Sequence, residues 1–204
     1  MLVHLIVVFR GIIMMETIAI FDYAGVFTGP EVERDVAQKC CEVGGISLEE
    51  FKEMALGKKK VPESLVKVFA KIIHQGIING GILSDAVEAA RVAKAAGAKV
   101  FISSNGLAEA IKEVFGRCGI NFFDGIMGRE HGSKKRHFEK ILEGRRPDKV
   151  ILVADSPDDF NLYDHRLLKV AVNVSQQKRP EFESRGCNIM ITGPLTAEAI
   201  EDLI

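Results

Sequence analysis

The sequence lacks a surplus of either charge. Its 27 Lys and Arg residues nearly balance its 28 Asp and Glu residues, which leaves a formal net charge of −1. A chain without a basic surplus has no electrostatic reason to bind nucleic acid or an anionic membrane surface. Short basic runs occur at 58–60, 134–136 and 145–146, and most of them are interpreted as solvated faces. The composition therefore predicts neither a nucleic-acid partner nor a membrane partner.

Cysteines and long apolar stretches are also scarce. The four cysteines form no CxxC pair and show no metal-ligand spacing with the five histidines, so we interpret them as reduced thiols in a cytoplasmic protein. The N-terminal segment 1–15 is apolar, but Arg10 interrupts it and it is too short for a membrane span. An extra strand and a self-association surface, as in a homodimer, are the two open interpretations of this segment.

From residue 17 onward the chain alternates between strand and helix patterns. Apolar, β-branched runs predict buried parallel strands at 17–21, 99–103, 149–154 and 169–172, and an edge strand at 188–192. Helical patterns lie at 85–95, 107–117, 135–142, 158–165 and 197–203. This alternation predicts an α/β fold in which helices cover both faces of a doubly wound parallel sheet.

Segment 30–81 breaks the alternation, because it contains three helical patterns and no strand. Ser47 and Glu50 have the spacing of a capping box that opens the second helix. Pro62 is suited to open the third helix, which is predicted to end near His74, before Gly76. We predict a catalytic core at 1–29 and 82–204 and an inserted helical cap at 30–81. Ligands bind at the carboxyl ends of parallel strands, so this cap is expected to cover that end of the sheet.

Four polar segments lie where predicted strands end or helices begin. A carboxylate follows the first strand, a hydroxyl and an amide follow the second, a basic cluster enters a later helix, and an acidic cluster follows another strand. Carboxylate oxygens from two strand ends suit Mg²⁺, while a lysine and a hydroxyl would hold phosphate oxygens. The segments are Ile20 to Thr28, Phe101 to Gly106, Gly132 to Phe138 and Val153 to Asp159.

In this order and spacing, the four segments resemble the motifs of the haloacid dehalogenase superfamily of hydrolases, from about residue 17 to 174. The resemblance implies that Asp22 is a nucleophile that forms an aspartyl-phosphate intermediate. It implies that Ser104 binds the phosphoryl group, with Asn105 beside it. Lys134 is the better match for the lysine of the third motif, and Lys135 is the alternative.

The resemblance also implies a Mg²⁺ site. Asp155 and Asp159 match an Asp-Ser-x-x-Asp metal motif in which Ala154 replaces a common glycine. Asp22 and the backbone carbonyl of Ala24 would complete the protein ligands. The implied activity is a Mg²⁺-dependent phosphatase that acts on a small phosphorylated metabolite.

The first motif departs from the usual Asp-x-Asp pattern, because Ala24 stands where phosphatases of this superfamily carry a general acid. Loss of such a group typically lowers the rate by about 10²–10⁴-fold. One explanation is phosphonatase-like chemistry, since phosphonoacetaldehyde hydrolases carry Asp-x-Ala and use a cap lysine, here one of 58–60. A second is a substrate with a good leaving group, or an acid from the cap such as His74 or Glu53. A third is a degenerate member that binds phosphate or a partner without turnover.

Overall fold

The computed structural model describes residues 16–55, 58–162 and 164–204. Within these residues, six strands form one parallel sheet. Its order places the first strand in the middle, with the second and third strands on one side and the fourth to sixth on the other. This is the doubly wound order, so the predicted α/β fold is confirmed. The strands are β1 (Thr17–Phe21), β2 (Lys99–Ser103), β3 (Gly125–Met127), β4 (Lys149–Ala154), β5 (Leu167–Ala171) and β6 (Ile189–Met190).

Helices cover both faces of the sheet because successive side chains of a strand point to opposite faces. In β1, Ala19 and Phe21 belong to one apolar cluster, whereas Ile18 and Ile20 belong to the other. The helices are α1 (Pro30–Gly44), α2 (Leu48–Ala55), α3 (Glu63–Asn79), α4 (Ser84–Ala95), α5 (Ala108–Arg117), α6 (Lys134–Leu142), α7 (Arg179–Ser184) and α8 (Ala197–Glu201).

The register of the central strands brings their carboxyl ends to one edge. Phe21, the last residue of β1, is paired with Ile102 of β2 and with Val153 of β4. The polar residues that follow each of these strands therefore start from the same level of the sheet. This is the edge at which the sequence places its candidate chemistry.

Helices α1, α2 and α3 have an apolar cluster of their own, built around Cys40, Met54 and Phe69. The predicted capping box is present, because Glu50 N donates to Ser47 Oγ at 3.2 Å and Ser47 N donates to Glu50 Oε2 at 3.1 Å. The division of the chain into a core and a cap stays a prediction.

The predicted end of the third helix near His74 is wrong, since α3 runs through Gly76 to Asn79. A Cβ atom added at Gly76 would lie 2.1 Å from Cγ2 of Val36 in α1. Glycine at this position therefore serves the close approach of α1 and α3 rather than a helix stop.

This close approach gives a prediction for stability. Gly76→Ala is expected to lower the free energy of unfolding by about 1–2 kcal/mol, because overpacking against Val36 exceeds the gain in helix propensity. Gly116→Ala in α5 is the matched control, because nothing lies within 4 Å of its added Cβ. The control is expected to raise stability by up to about 1 kcal/mol. Urea denaturation of both variants measures the difference, and equal effects would contradict the packing argument.

The other differences concern short elements. The helix predicted at 158–165 is only a 3₁₀ turn, Pro157–Phe160, and its end is marked by the Asn161 side chain, which donates to the Asp158 carbonyl. β3 and α7 were not predicted, and β5 begins two residues before the predicted strand at 169. The edge strand at 188–192 is shorter than predicted, at Ile189–Met190.

In the described part of the chain, no helix has the length and apolarity needed to cross a membrane. The apolar segment 1–15 lies outside the described residues. Its interpretations as an extra strand or as a homodimer surface stay predictions.

Candidate active site

Asp22 leaves the sheet directly after β1 and is buried, with 6% of its surface exposed. Its backbone N–H donates to the carbonyl of Val153 at 2.8 Å, which ties the residue to the end of β4. Its Oδ1 accepts the backbone N–H of Tyr23 at 2.8 Å. One carboxylate oxygen is thus fixed by the backbone, and Oδ2 is turned toward other side chains of the site.

Lys134 joins two of the candidate carboxylates. Its Nζ lies 2.6 Å from Asp22 Oδ2 and 2.7 Å from Asp159 Oδ2. Ser133 caps α6 by accepting the N–H of Arg136, so Lys134 is the first residue of the helix. The structure brings Lys134 into the site, whereas Lys135 is exposed.

Asp155 lies against the turn that follows β1. A Cβ atom at Gly25 would lie only 2.0 Å from Asp155 Oδ2, so the carboxylate packs directly on the Gly25 backbone, next to Ala24. Gly25 also has φ +69°, a left-handed conformation that suits glycine. The side chain of Asn173, which follows β5, donates to the Gly25 carbonyl at 2.7 Å and holds the turn in place.

Ser104 and Asn105 follow β2. The Ser104 side chain is buried, and its Oγ accepts the backbone N–H of Gly106 at 3.0 Å. That bond leaves the hydroxyl proton of Ser104 free to donate to an anion, while Asn105 is exposed. The N–H of Ala108, at the start of α5, already donates to Glu130 Oε1 at 2.9 Å.

Burial and mutual repulsion raise the pKa of two carboxyl groups of the site. For Asp22 the larger cause is burial; Asp159 and Asp155 add to it and Lys134 opposes it. For Asp155 burial again leads, followed by Asp159. Burial alone would lower the pKa of Lys134, but the charges of Asp22 and Asp159 outweigh burial and raise it. The site therefore holds a protonated lysine beside carboxyl groups whose charged forms are disfavoured by burial and by one another.

The candidate Mg²⁺ ligands fit a hard cation by their chemistry. Asp22, Asp155 and Asp159 supply only oxygen donors, and Asp159 Oδ2 is a buried atom without an aligned hydrogen bond despite the nearby lysine. A divalent cation would offset the repulsion that raises the carboxyl pKa values. As they stand, the Asp, Glu, His and Cys side chains of 16–55, 58–162 and 164–204 form no group of three or more that could hold a metal ion. The Mg²⁺ assignment stays a prediction.

A cavity of about 710 Å³ adjoins this cluster. Its lining includes Asp22, Ala24, Ser104, Asn105 and Lys134 at one end and side chains of α1, α2 and α3 elsewhere. The volume lies within the range of small-molecule sites, about 300–1,000 Å³. The structure thus brings the predicted phosphate-binding residues to the wall of one cavity.

Sequence patterns missed two residues near this cavity. Asn173 has φ 54° and holds the Gly25 turn, and no motif marks it. Glu33, in the first turn of α1, lines the cavity. Glu33 is an exposed residue, but partial loss of hydration beside the site raises its pKa, with Asp155 adding to the effect and Lys134 opposing it. An acid in the first turn of a helix after the Asp22 loop is the signal that could have identified Glu33.

The cap residues proposed to replace the missing acid lie elsewhere. His74 Nε2 is 3.5 Å from Glu113 Oε2, in a pair near the surface, and neither His74 nor Glu53 lines the cavity. The run 58–60 is exposed and lies outside the cavity lining. Its Lys59 is paired with Glu50 at 2.7 Å, and this pairing raises the lysine pKa.

No protein-family model matches the sequence, and no curated protein matches it either. Solved structures do match. A haloacid dehalogenase-like hydrolase of Streptococcus pneumoniae has a TM-score of 0.66 and 13% identity, over 88% of this chain and 95% of the other. A hydrolase of Pseudomonas syringae has a TM-score of 0.71 and 16% identity, over 93% of this chain and 99% of the other. A predicted phosphatase of Clostridium acetobutylicum has a TM-score of 0.69 and 14% identity, over 93% of this chain and 97% of the other.

These identities are low, so the likeness establishes architecture rather than activity. It spans nearly the whole of both chains in each comparison. The chain therefore has the fold of the haloacid dehalogenase-like hydrolases.

Proposed function

We propose that the protein is a Mg²⁺-dependent phosphatase that acts on a small phosphorylated metabolite through an aspartyl phosphate at Asp22. The observation that carries this proposal is the Asp22–Lys134–Asp159 arrangement at the end of the parallel sheet, with N–O distances of 2.6 and 2.7 Å. The neighbours named as hydrolases and phosphatases share the fold that presents this edge. A structural role alone has little use for buried carboxylates that repel one another.

In the proposed reaction, Asp22 Oδ2 attacks phosphorus. Lys134 and the hydroxyl of Ser104 bind the other phosphoryl oxygens and offset their charge in the transition state. Asn105, exposed at the cavity wall, contributes a further polar contact to the substrate. The carboxylate of Asp22 is fixed through Oδ1 by the Tyr23 N–H, which preorganises Oδ2 for attack.

Asp22, Asp155, Asp159 and the carbonyl of Ala24 are the residues that would hold Mg²⁺. When bound, the ion would bring the phosphate to Asp22 and neutralise part of its charge. The protein residues themselves orient the nucleophile and exclude water from it. Helices α1 to α3, which line the cavity, would serve as the cap that covers the bound substrate.

A phosphatase accounts for the site better than the two alternatives. A cap lysine that forms a Schiff base must be an unprotonated amine in the cavity, whereas 58–60 is exposed and Lys59 is held charged by Glu50. A protein that only binds phosphate has no need for a carboxylate pointed at the phosphate position.

The test is phosphate release from acetyl phosphate and a panel of small phosphate esters, each with Mg²⁺ and with a chelator. Release that requires Mg²⁺ supports the proposal. Phosphate release that is unchanged by the chelator would contradict the metal assignment. The absence of phosphate release from acetyl phosphate would contradict the phosphatase assignment.

Ala24→Asp restores the missing acid and gives a further prediction. The variant is expected to raise kcat for alkyl phosphate esters by about tenfold or more, because a general acid is worth about 10²–10⁴-fold in favourable geometry. Phosphonoacetaldehyde cleavage is not expected to rise. Steady-state kinetics of parent and variant measure the change, and no gain on any alkyl ester would count against the proposed chemistry.

A further inference from the structure

The cavity beside Asp22 is lined by polar side chains at one end and by mostly apolar side chains elsewhere. Apart from the end beside Asp22, Ser104 and Lys134, its less exposed lining consists of hydrocarbon and aromatic side chains from three helices, together with the Cys41 thiol of α1. Charged side chains in that part of the lining, such as Arg34 and Lys52, belong to exposed residues. The apolar lining includes Val32, Val36 and Ala37 of α1, Phe51 of α2, and Ile73 and Ile77 of α3.

Such a wall discriminates between leaving groups. A sugar carries hydroxyls around its ring, and each hydroxyl that loses water against this wall without a partner costs about 1–3 kcal/mol. An apolar group gains about 25 cal/mol for each Å² it buries. Phe51 also offers a ring face or edge for stacking with an aromatic ring. The wall therefore favours an apolar occupant over a sugar.

Ala24 leads to the same class of substrate independently. Because no acid stands at position 24, a leaving oxygen that receives no proton from Glu33 departs with its negative charge. A phenol has a pKa of about 10, as in the tyrosine side chain, whereas water has a pKa of about 15.7 and alkyl alcohols are of similar strength. An aryl oxide can therefore leave without a general acid at position 24.

We propose that the substrate is a phosphate monoester of an apolar aryl group, and that this group lies in the cavity between α1, α2 and α3. The proposal rests on the phosphatase function proposed above. Asp22 Oδ2 forms a bond to phosphorus while the bond from phosphorus to the aryl oxygen breaks. The electron pair stays on that oxygen, which takes a proton from water. A second water then attacks phosphorus, which releases inorganic phosphate and the carboxylate of Asp22.

The test compares kcat/KM for naphthyl phosphate, acetyl phosphate and a hexose phosphate, all with Mg²⁺. Naphthyl phosphate is expected to exceed the hexose phosphate by at least about 100-fold, since pocket fit and leaving-group strength act together. Ala37→Phe fills the cavity from α1. It is expected to lower the ratio of naphthyl to acetyl phosphate in kcat/KM by about tenfold or more. Glu42→Phe places the same ring on an exposed part of α1 outside the cavity lining and is the matched control.

The outcomes separate the two proposals. If acetyl phosphate is hydrolysed but naphthyl phosphate is no better than the hexose phosphate, the phosphatase stands and the aryl assignment is overturned. A preference for the hexose phosphate that Glu33→Gln removes would also overturn it, because Glu33 would then supply the acid. If neither acetyl phosphate nor any ester is hydrolysed, the phosphatase proposal fails, and calorimetry decides the ligand class. Naphthyl phosphate that binds at least about tenfold more tightly than the hexose phosphate supports an apolar ligand, and equal binding overturns it.

Discussion

Asp22→Asn is expected to lower the rate of phosphate release by up to about 10⁶-fold, because the variant lacks the covalent nucleophile. An amide is a poor nucleophile and cannot form the acyl phosphate. The fold is expected to tolerate the change, because the Asn oxygen can still accept the Tyr23 N–H and the surroundings of Asp22 already disfavour its charge. Initial rates and thermal unfolding of the parent and variant measure both effects.

Asp158→Asn is the matched control for Asp22→Asn. Asp158 is exposed, lies between the two candidate metal ligands along the chain, and does not line the cavity. Its substitution is expected to change kcat by less than about threefold and stability by less than about 0.5 kcal/mol. Full turnover by Asp22→Asn would refute the assignment of the nucleophile.

Lys134→Met is expected to lower both activity and stability. Turnover should fall by about 10²–10³-fold, because a preorganised charge on the phosphoryl oxygens is lost. The free energy of unfolding near pH 7 should fall by about 3 kcal/mol, the cost of removing one partner of a buried ion pair. Lys134 is 16% exposed on its side chain, so solvent screening of the pair is weak.

The stability loss should depend on pH with a definite sign. In Lys134→Met the buried Asp22 carboxylate has no ammonium beside it, so its folded-state pKa, which burial already raises, rises further above the unfolded value. A group with a raised folded pKa contributes stability below the unfolded pKa and loses it as pH rises. The deficit against the parent should therefore be largest at neutral pH and shrink as the pH falls toward about 4.

Lys135→Met controls for the removal of a lysine from the same helix turn. Lys135 is exposed, and its loss is expected to change stability by less than about 0.5 kcal/mol. Chemical denaturation at several pH values measures both variants. If Lys135→Met lost activity and Lys134→Met kept it, the lysine of the third motif would have been assigned to the wrong residue.

Strands with strong local signals were predictable from sequence. Runs such as 17–21 and 149–154 are apolar, β-branched and bounded by polar residues, and β1 and β4 have those bounds. β3 has only three residues and begins with Gly125, so it carries no pattern and depends on pairing with β2. The end of α3 was misplaced because Gly76 looks like a stop, while its role depends on Val36 in another helix.

The candidate site shows the same division between local and distant information. The sequence places Asp22, Ser104 and Asp155 at strand ends, and a parallel sheet must bring such residues to one edge. The contacts of Lys134 with Asp22 and Asp159 also follow a motif. The cavity wall follows no sequence motif. It is formed by side chains of three helices, and the sequence does not reveal how these helices pack.

Ala24 also shapes the expected kinetics. A good leaving group assists only the first step, whereas attack of water on the aspartyl phosphate would proceed without a general base at position 24. The second step should then be rate-limiting. We expect a burst of aryl alcohol release followed by slower turnover, with the phosphoenzyme as the main species during the steady state.

Trapping that species tests the central claim most directly. The protein is mixed with acetyl phosphate and Mg²⁺, quenched with acid during the steady state, digested and analysed by mass spectrometry. A phosphoryl group is expected on the peptide that contains Asp22 in the parent, and none is expected in Asp22→Asn. Phosphate release without any label on Asp22, or label on another residue, would contradict the central claim.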